Sequence, residues 1–185
     1  MRIFFSANPK SKQEIPVFID RIYAFLRKNS HTLTEKILEK TSYHAFTKWN
    51  SADHEKNYKN TIEAISSADI CVFEASLPSI ELAHFINQAL DHDKPTVILT
   101  REGTTPFMLE HASEQAIILI EYTERDLERE LAYGIKEANE QPRGIRFNCL
   151  ISAELNRYLE RAAHDNSMSK SGFVRKLIRE HQKNS

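Results

Sequence analysis

The side chains with the clearest chemical potential surround the start of one predicted helix, at Pro78. Ser76 and Ser79 place hydroxyl groups on either side of this proline, which suits the first position of a helix. A helix N-terminus presents free backbone N–H groups and the positive end of the helix dipole, so it is suited to bind phosphate. The two serines would also serve as ordinary helix caps. Both interpretations stay open.

Short strands and longer amphipathic helices alternate over the first part of the chain. Three strands are nearly continuous apolar runs, which is typical of a parallel sheet covered on both faces. The alternation predicts an α/β fold with a doubly wound, flavodoxin-like, mostly parallel five-stranded sheet. The predicted strands are Arg2–Ser6, Leu33–Lys36, Ile70–Glu74, Thr96–Thr100 and Ala116–Tyr122, and the helices are Gln13–Arg27, Glu55–Ser67, Pro78–Asp91 and Glu124–Glu140. The segment Lys40–Asp53 has no clear period and is predicted to be a loop.

Ligands of open α/β sheets bind beyond the carboxyl ends of the strands, so the loops at that edge frame the expected site. These loops are Ser6–Lys10, Glu74–Ser79 and Thr100–Thr105. The predicted ligand- or phosphate-binding residues are Ser6, Asn8, Ser76 and Ser79. Neither a GxGxxG motif nor a P-loop is present, which argues against dinucleotide binding and nucleoside triphosphate hydrolysis.

Other classes of site receive little support from the sequence. The histidines lack the spacing of metal ligands, so no metal and no cofactor is predicted. Cys71 and Cys149 lie in apolar, strand-like runs and are expected to be buried thiols. No apolar run reaches the roughly 20 residues of a membrane span, and the N-terminus lacks the features of a signal peptide. A cytoplasmic protein without membrane association is expected.

The charge balance changes near the end of the chain. From Arg143 onward there are nine Lys or Arg and four Asp or Glu, against 16 and 22 in the preceding residues. Such a basic tail favours contact with a polyanion. The segment Gln141-Pro142-Arg143-Gly144 is typical of a linker. The predicted organisation is an α/β domain at 1–140, a linker at 141–144 and a small domain at 145–185.

The tail is predicted to form one strand and two helices. Ile145–Ile151 alternates inward and outward residues, Ser152 is suited to cap a first helix, and a second helix opens at Ser169 or Ser171. A segment of about 40 residues with a single strand cannot bury a core or pair its strand alone. Two copies of the segment can bury a shared core if their strands pair antiparallel and their helices pack together. We therefore expect a homodimer or a higher homo-oligomer.

A two-stranded ribbon of this kind fits the major groove of double-stranded DNA. Arg146 is suited to contact guanine and Asn148 adenine, whereas Leu150 offers apolar contact, for example to a thymine methyl. The start of the second helix is suited to hold a DNA phosphate. The residues predicted there are Ser169, Lys170 and Ser171.

From Arg146 to about His181 the tail resembles the ribbon-helix-helix family of repressors, such as the Arc and MetJ repressors. The resemblance rests on the strand RFNCLI, the helix after Ser152 and the stretch SKSGFVRKLI. It implies a dimeric, DNA-binding module. Gly172 and Leu150 depart from the family pattern, which usually has an acidic residue and a polar, base-reading residue at these positions.

The stretch ADICVFEASLPSIELAHFINQALDHDKPTVIL resembles the nucleoside 2-deoxyribosyltransferase family, including its deoxynucleoside 5′-monophosphate N-glycosidase branch. The resemblance extends more weakly over residues 1–122. Family enzymes cleave an N-glycosidic bond with a glutamate nucleophile on the helix after the Pro-Ser motif, and serines hold the 5′-phosphate. The resemblance matches Ser79 to the phosphate-binding serine, and Asp69 and Glu74 to acids that flank the strand.

The same resemblance places Phe85 at the nucleophile position, and a phenylalanine cannot attack an anomeric carbon. Glu81 lies one helical turn earlier, about 6 Å away, and is the candidate catalytic residue if activity remains. The chain is therefore expected to be a dimeric transcriptional regulator whose α/β domain is a pseudoenzyme that senses a nucleotide-like ligand or holds dimers together. One alternative is an active N-glycosidase or deoxyribosyltransferase that uses Glu81. A second is an antitoxin-like module that binds a protein partner.

Overall fold

The computed structural model describes residues 1–106, 117–140, 149–166 and 170–183. Within these ranges, five strands form one sheet in the order β2-β1-β3-β4-β5, and every neighbouring pair is parallel. The predicted flavodoxin-like α/β fold is confirmed. The strands are β1 Arg2–Ala7, β2 Thr32–Leu33, β3 Ile70–Glu74, β4 Thr96–Arg101 and β5 Ile117–Tyr122.

The helices of the first part of the chain flank this sheet. They are α1 Ser11–Glu14, α2 Pro16–Lys28, α3 Ile37–Lys40, α4 Tyr43–Phe46, α5 Ser51–Ser67, α6 Ile80–Asp91 and α7 Leu127–Glu140. Alternate strand residues face opposite layers, since side chains alternate along a strand. Ile3, Phe5 and Val72 pack with α2 and α7. Phe4 and Phe73 pack with α5 and α6.

Several predicted boundaries need correction, and the helices predicted to begin at Pro78 and Glu124 begin at Ile80 and Leu127. The strand expected at Leu33–Lys36 is shorter and lies at Thr32–Leu33, because this edge strand pairs with β1 over two residues alone. The helix expected at Gln13–Arg27 is divided, because Pro16 begins a new helix after Ile15 leaves the helical conformation. The Lys40–Asp53 loop contains α4, and α5 already begins at Ser51, where Asn50 and Asp53 form a capping box.

The chain divides into two compact units, Met1–Ile145 and Arg146–Ser185. In the second unit the described helices are α8 Ala153–Asp165 and α9 Lys170–Lys183. The Leu155 backbone N–H donates to Ser152 Oγ over 3.2 Å, so Ser152 caps α8 as predicted. Within the described ranges, no helix combines the length and the apolarity needed to cross a membrane.

The strand predicted at Ile145–Ile151 lies in part outside the described residues, which resume at Cys149. Cys149, Leu150 and Ile151 are not in a strand, and they have no strand partner among the residues that the structure describes. Cys71 is buried as expected, but Cys149 is exposed, so its predicted burial is wrong for the single chain.

Candidate functional site

Glu74 ends β3 at the carboxyl edge of the sheet and is completely buried. Its Oε1 atom accepts hydrogen bonds from the Ser76 hydroxyl, from the Ser76 backbone N–H at 3.2 Å and from the Tyr122 hydroxyl at 3.1 Å. Its Oε2 atom has no hydrogen-bond partner among the described residues. Burial raises the pKa of the Glu74 carboxyl, and the hydrogen bonds from Ser76 and Tyr122 partly oppose this rise. This edge therefore contains a carboxyl group that holds its proton more readily than an ordinary glutamate.

Ser76 connects this carboxyl to the neighbouring strand. Its hydroxyl donates to Glu74 and accepts from the Arg101 backbone N–H at 2.7 Å. The hydroxyl proton and one acceptor position of Ser76 are thus in use inside the protein. A phosphate at Ser76 would have to displace one of these contacts.

Ser79 caps α6. The Leu82 backbone N–H donates to Ser79 Oγ over 3.1 Å, and the helix itself begins at Ile80. Pro78 consequently precedes the cap and does not occupy the first helical position that the sequence suggested. The geometry of Ser79 is that of a helix cap, and the hydroxyl can still donate its proton outward.

The loop after β1 approaches the loop after β3. Asn8 Nδ2 donates to the Pro78 carbonyl at 3.5 Å, while Asn8 Oδ1 accepts from the Lys10 backbone N–H at 3.0 Å. Ser6 is half-buried and stands opposite Phe73 in the register of β1 and β3. The structure therefore brings the predicted residues Ser6, Asn8, Ser76 and Ser79 to the same edge of the sheet.

Phe85, at the position expected for the nucleophile, belongs to an aromatic cluster between α5 and α6. Its ring centroid lies 6.3 Å from that of Tyr58 and 5.9 Å from that of His84. The Tyr58 hydroxyl and His84 Nε2 are 3.3 Å apart, within hydrogen-bonding distance. Phe85 also packs against the core between the sheet and these helices. It therefore helps to fasten α6 to α5.

Glu81 lies in the first turn of α6 and is exposed. It makes no hydrogen bond or ion pair with the described residues. A carboxylate in this turn interacts favourably with the helix dipole. None of the residues that the structure describes activates Glu81 as a nucleophile or orients it towards a substrate.

Asp69 lies at the opposite, amino edge of the sheet. Its carboxylate accepts from the Arg2 backbone N–H at 2.7 Å and from Arg2 Nη2 at 3.2 Å. These contacts, the backbone hydrogen bond first, lower the pKa of Asp69. Its contacts are structural, because they join the start of β3 to the start of β1.

The residues predicted to contact DNA are only partly described. Arg146, Asn148 and Ser169 lie outside the described residues, and Leu150 is fully exposed. Ser171 lies in the first turn of α9. Lys170 Nζ lies 3.0 Å from Glu160 Oε1 and 3.3 Å from Asn156 Oδ1, so it joins α9 to α8. Lys170, predicted with the start of the second helix to contact a DNA phosphate, has its ammonium paired with the Glu160 carboxylate.

No protein-family model matches the chain, and no curated protein matches its sequence. Among solved structures, the CMP N-glycosidase BcmB of Clostridium botulinum is similar, with a TM-score of 0.51 and 17% sequence identity. The match covers 74% of this chain and 99% of the other. At this identity the likeness concerns the fold, an α/β architecture shared with an N-glycosidase.

Proposed function

We propose that the α/β unit binds a nucleoside 5′-monophosphate at the carboxyl edge of its sheet without cleaving it through a glycosyl-enzyme intermediate. The fold resembles that of an enzyme named for its action on CMP, and the loops at this edge carry hydroxyl and amide side chains. The observation that carries the proposal is Phe85, whose ring packs with Tyr58 and His84 where a nucleophile is expected. Glu81 has no hydrogen-bond or ion-pair partner within the described ranges that would activate it.

The test combines calorimetric binding with a chromatographic assay for released base. We expect saturable binding of at least one nucleoside 5′-monophosphate and no release of base above the uncatalysed rate. The Glu81→Ala variant should bind the same nucleotide with unchanged affinity. Base release by the wild type that disappears in Glu81→Ala would instead establish the glycosidase alternative, and the absence of any nucleotide binding would refute the proposal.

For the second unit we propose DNA binding by a homodimer, as part of a transcriptional regulator. Its described apolar residues support a partner: Ala163 and Phe173 are buried, whereas four other large apolar side chains on its helices are between 45% and 60% exposed. Those side chains are Leu155, Tyr158, Leu177 and Ile178. The excess of positive charge after Arg143 favours DNA as the ligand of such a dimer.

DNA binding is tested by titrating a duplex from the gene's own promoter region at several salt concentrations. We expect the logarithm of the association constant to fall linearly with the logarithm of salt concentration. Arg146→Ala should weaken binding, whereas Arg125→Ala, which removes the same charge from the first unit, should not. No binding, or binding insensitive to salt, would refute the proposal. Co-purification of a protein partner in that case would favour the antitoxin-like alternative.

A further inference from the structure

A cleft opens between α1 and α4 of the α/β unit. α1 directly follows the Ser6–Lys10 loop, so the cleft lies beside the carboxyl end of β1. Ligands of this class of sheet bind beyond the carboxyl ends of the strands. α4 follows β2 in the chain, so the cleft lies on the β2 side of β1. The cleft is lined by Lys12, Gln13, Ser42, Tyr43, His44 and Thr47.

Lys12 brings positive charge to this cleft. Its ammonium donates to the Glu39 carbonyl at 2.7 Å, which leaves two of its three N–H groups for another partner. The Glu39 carboxylate pairs with Arg27 instead, and Lys12 takes part in no ion pair among the described residues. Because Lys12 is half-buried, its charge is less screened than that of an exposed lysine. An anion in the cleft would compensate this charge.

The opposite wall presents two rings on an anchored turn. Tyr43 is half-buried and His44 is exposed. The Ser42 hydroxyl caps α4 by accepting from the Ala45 backbone N–H at 3.3 Å, so its own proton is available to a ligand. Thr47 Oγ1 donates to the His44 carbonyl at 2.9 Å and fixes the end of the turn. The cleft therefore combines a cation and hydroxyl groups with planar apolar surface.

We infer that this cleft, and not the Ser76–Ser79 loop, holds the nucleotide of the proposed function. The phosphate contacts the Lys12 ammonium and the Ser42 hydroxyl, and the base packs against Tyr43. The inference rests on the proposed function and adds the position of the ligand. It follows from the free hydrogen-bonding capacity: Ser76 is committed to Glu74 and Arg101, and Ser79, like Ser42, caps a helix and keeps only its hydroxyl proton. The cleft adds to such a hydroxyl the charge and the free donors of Lys12.

The test measures the affinity of the full chain for CMP, cytidine and inorganic phosphate by calorimetry. Lys12→Gln should weaken CMP binding by roughly tenfold or more, the effect of losing a charge-assisted hydrogen bond, and leave cytidine binding unchanged. Tyr43→Ala should weaken both CMP and cytidine. Lys28→Gln, which removes the same charge at the end of α2, is the matched control and should bind like the wild type. Circular dichroism checks that each variant is folded.

The outcomes separate the two proposals. CMP binding that survives both Lys12→Gln and Tyr43→Ala but is lost in Ser79→Ala would overturn the cleft while preserving nucleotide binding. A wild type that binds no nucleoside monophosphate would overturn the proposed function. Phosphate binding that still depends on Lys12 in that case would identify an anion site and would also overturn the nucleotide assignment of the cleft.

Discussion

The Tyr122 hydroxyl donates to Oε1 of Glu74 over 3.1 Å, which joins the carboxyl ends of β5 and β3 across the strand between them. Ser76 joins that middle strand, β4, to the same carboxyl group through the Arg101 backbone N–H. The carboxyl ends of β3, β4 and β5 are thus connected by hydrogen bonds that converge on the buried Glu74 side chain. Among the described residues, every donor to Glu74 contacts Oε1 and none contacts Oε2, so ionisation would leave charge on a buried oxygen without a hydrogen-bond partner there.

The stability of the protein should depend on the protonation of Glu74. The pKa of Glu74 is raised in the folded state, so the folded protein binds the Glu74 proton more tightly than the unfolded chain does. The contribution of this proton to the free energy of unfolding is fully present below the unfolded pKa and is lost as pH rises through the folded pKa. Glu74→Gln removes this titration and keeps an oxygen acceptor. We expect the unfolding free energy of the wild type, relative to Glu74→Gln, to decrease from about pH 4 upward and then level off. Urea unfolding of both proteins over this range measures it, and a difference independent of pH would contradict the interpretation.

The sheet could be predicted from the sequence because its strands carry a local signal. Ile70–Glu74 and Thr96–Arg101 each contain a run of three or four apolar residues bounded by turns, and each lies where the sequence predicts it, to within one residue. The contacts of Glu74 carry no such signal, because its partner Tyr122 is 48 residues away and becomes a neighbour only through the sheet order. In the sequence, the one indication of a special role for Glu74 is that an acidic residue ends a strand that is otherwise apolar. The four-residue helix α4 was missed because one turn has no measurable period.

Ser79→Ala should destabilise the protein by about 1 kcal/mol, because the Leu82 backbone N–H loses its partner at the start of α6. Ser79→Asp keeps a capping oxygen and adds favourable charge at the helix N-terminus, so it should restore most of this stability. Chemical denaturation of the two variants and the wild type provides the comparison. Equal stability of Ser79→Ala and the wild type would show that the cap contributes nothing.

Phe85→Ala should cost about 2 kcal/mol of unfolding free energy, less than for a fully buried ring, because Phe85 is only half-buried. Ile80→Ala is the matched control on the same helix: Ile80 is 87% exposed, so its truncation should change stability by less than about 0.5 kcal/mol. Thermal and urea unfolding measure both effects. Equal effects of the two substitutions would contradict a packing role for Phe85.

Gly134→Ala tests how closely α7 approaches the sheet. A Cβ atom at Gly134 would lie 2.6 Å from Ile120 Cδ1 and 2.8 Å from Val97 Cγ1, so these side chains must move. Overpacking of this kind costs about 1–3 kcal/mol, against which the better helix propensity of alanine returns about 1 kcal/mol. We expect net destabilisation. Ala132→Gly, at an exposed position of the same helix, measures the contribution of helix propensity alone. A Gly134→Ala variant more stable than the wild type would contradict the prediction, because it would mean that Ile120 and Val97 move without a loss of packing energy.

Self-association should depend on the exposed apolar face of the second unit. Leu177 is 45% exposed on α9, and a lysine there would carry charge into any interface that this face forms. We expect the full-length wild type to sediment as a dimer or larger species and Leu177→Lys to shift towards monomer. Ile80→Lys places the same charge on an exposed apolar residue of the first unit and should leave the oligomeric state unchanged. Dissociation of the oligomer by Ile80→Lys but not by Leu177→Lys would contradict this prediction. It would mean that the chains associate through the α/β unit and not through the exposed apolar face of the second unit.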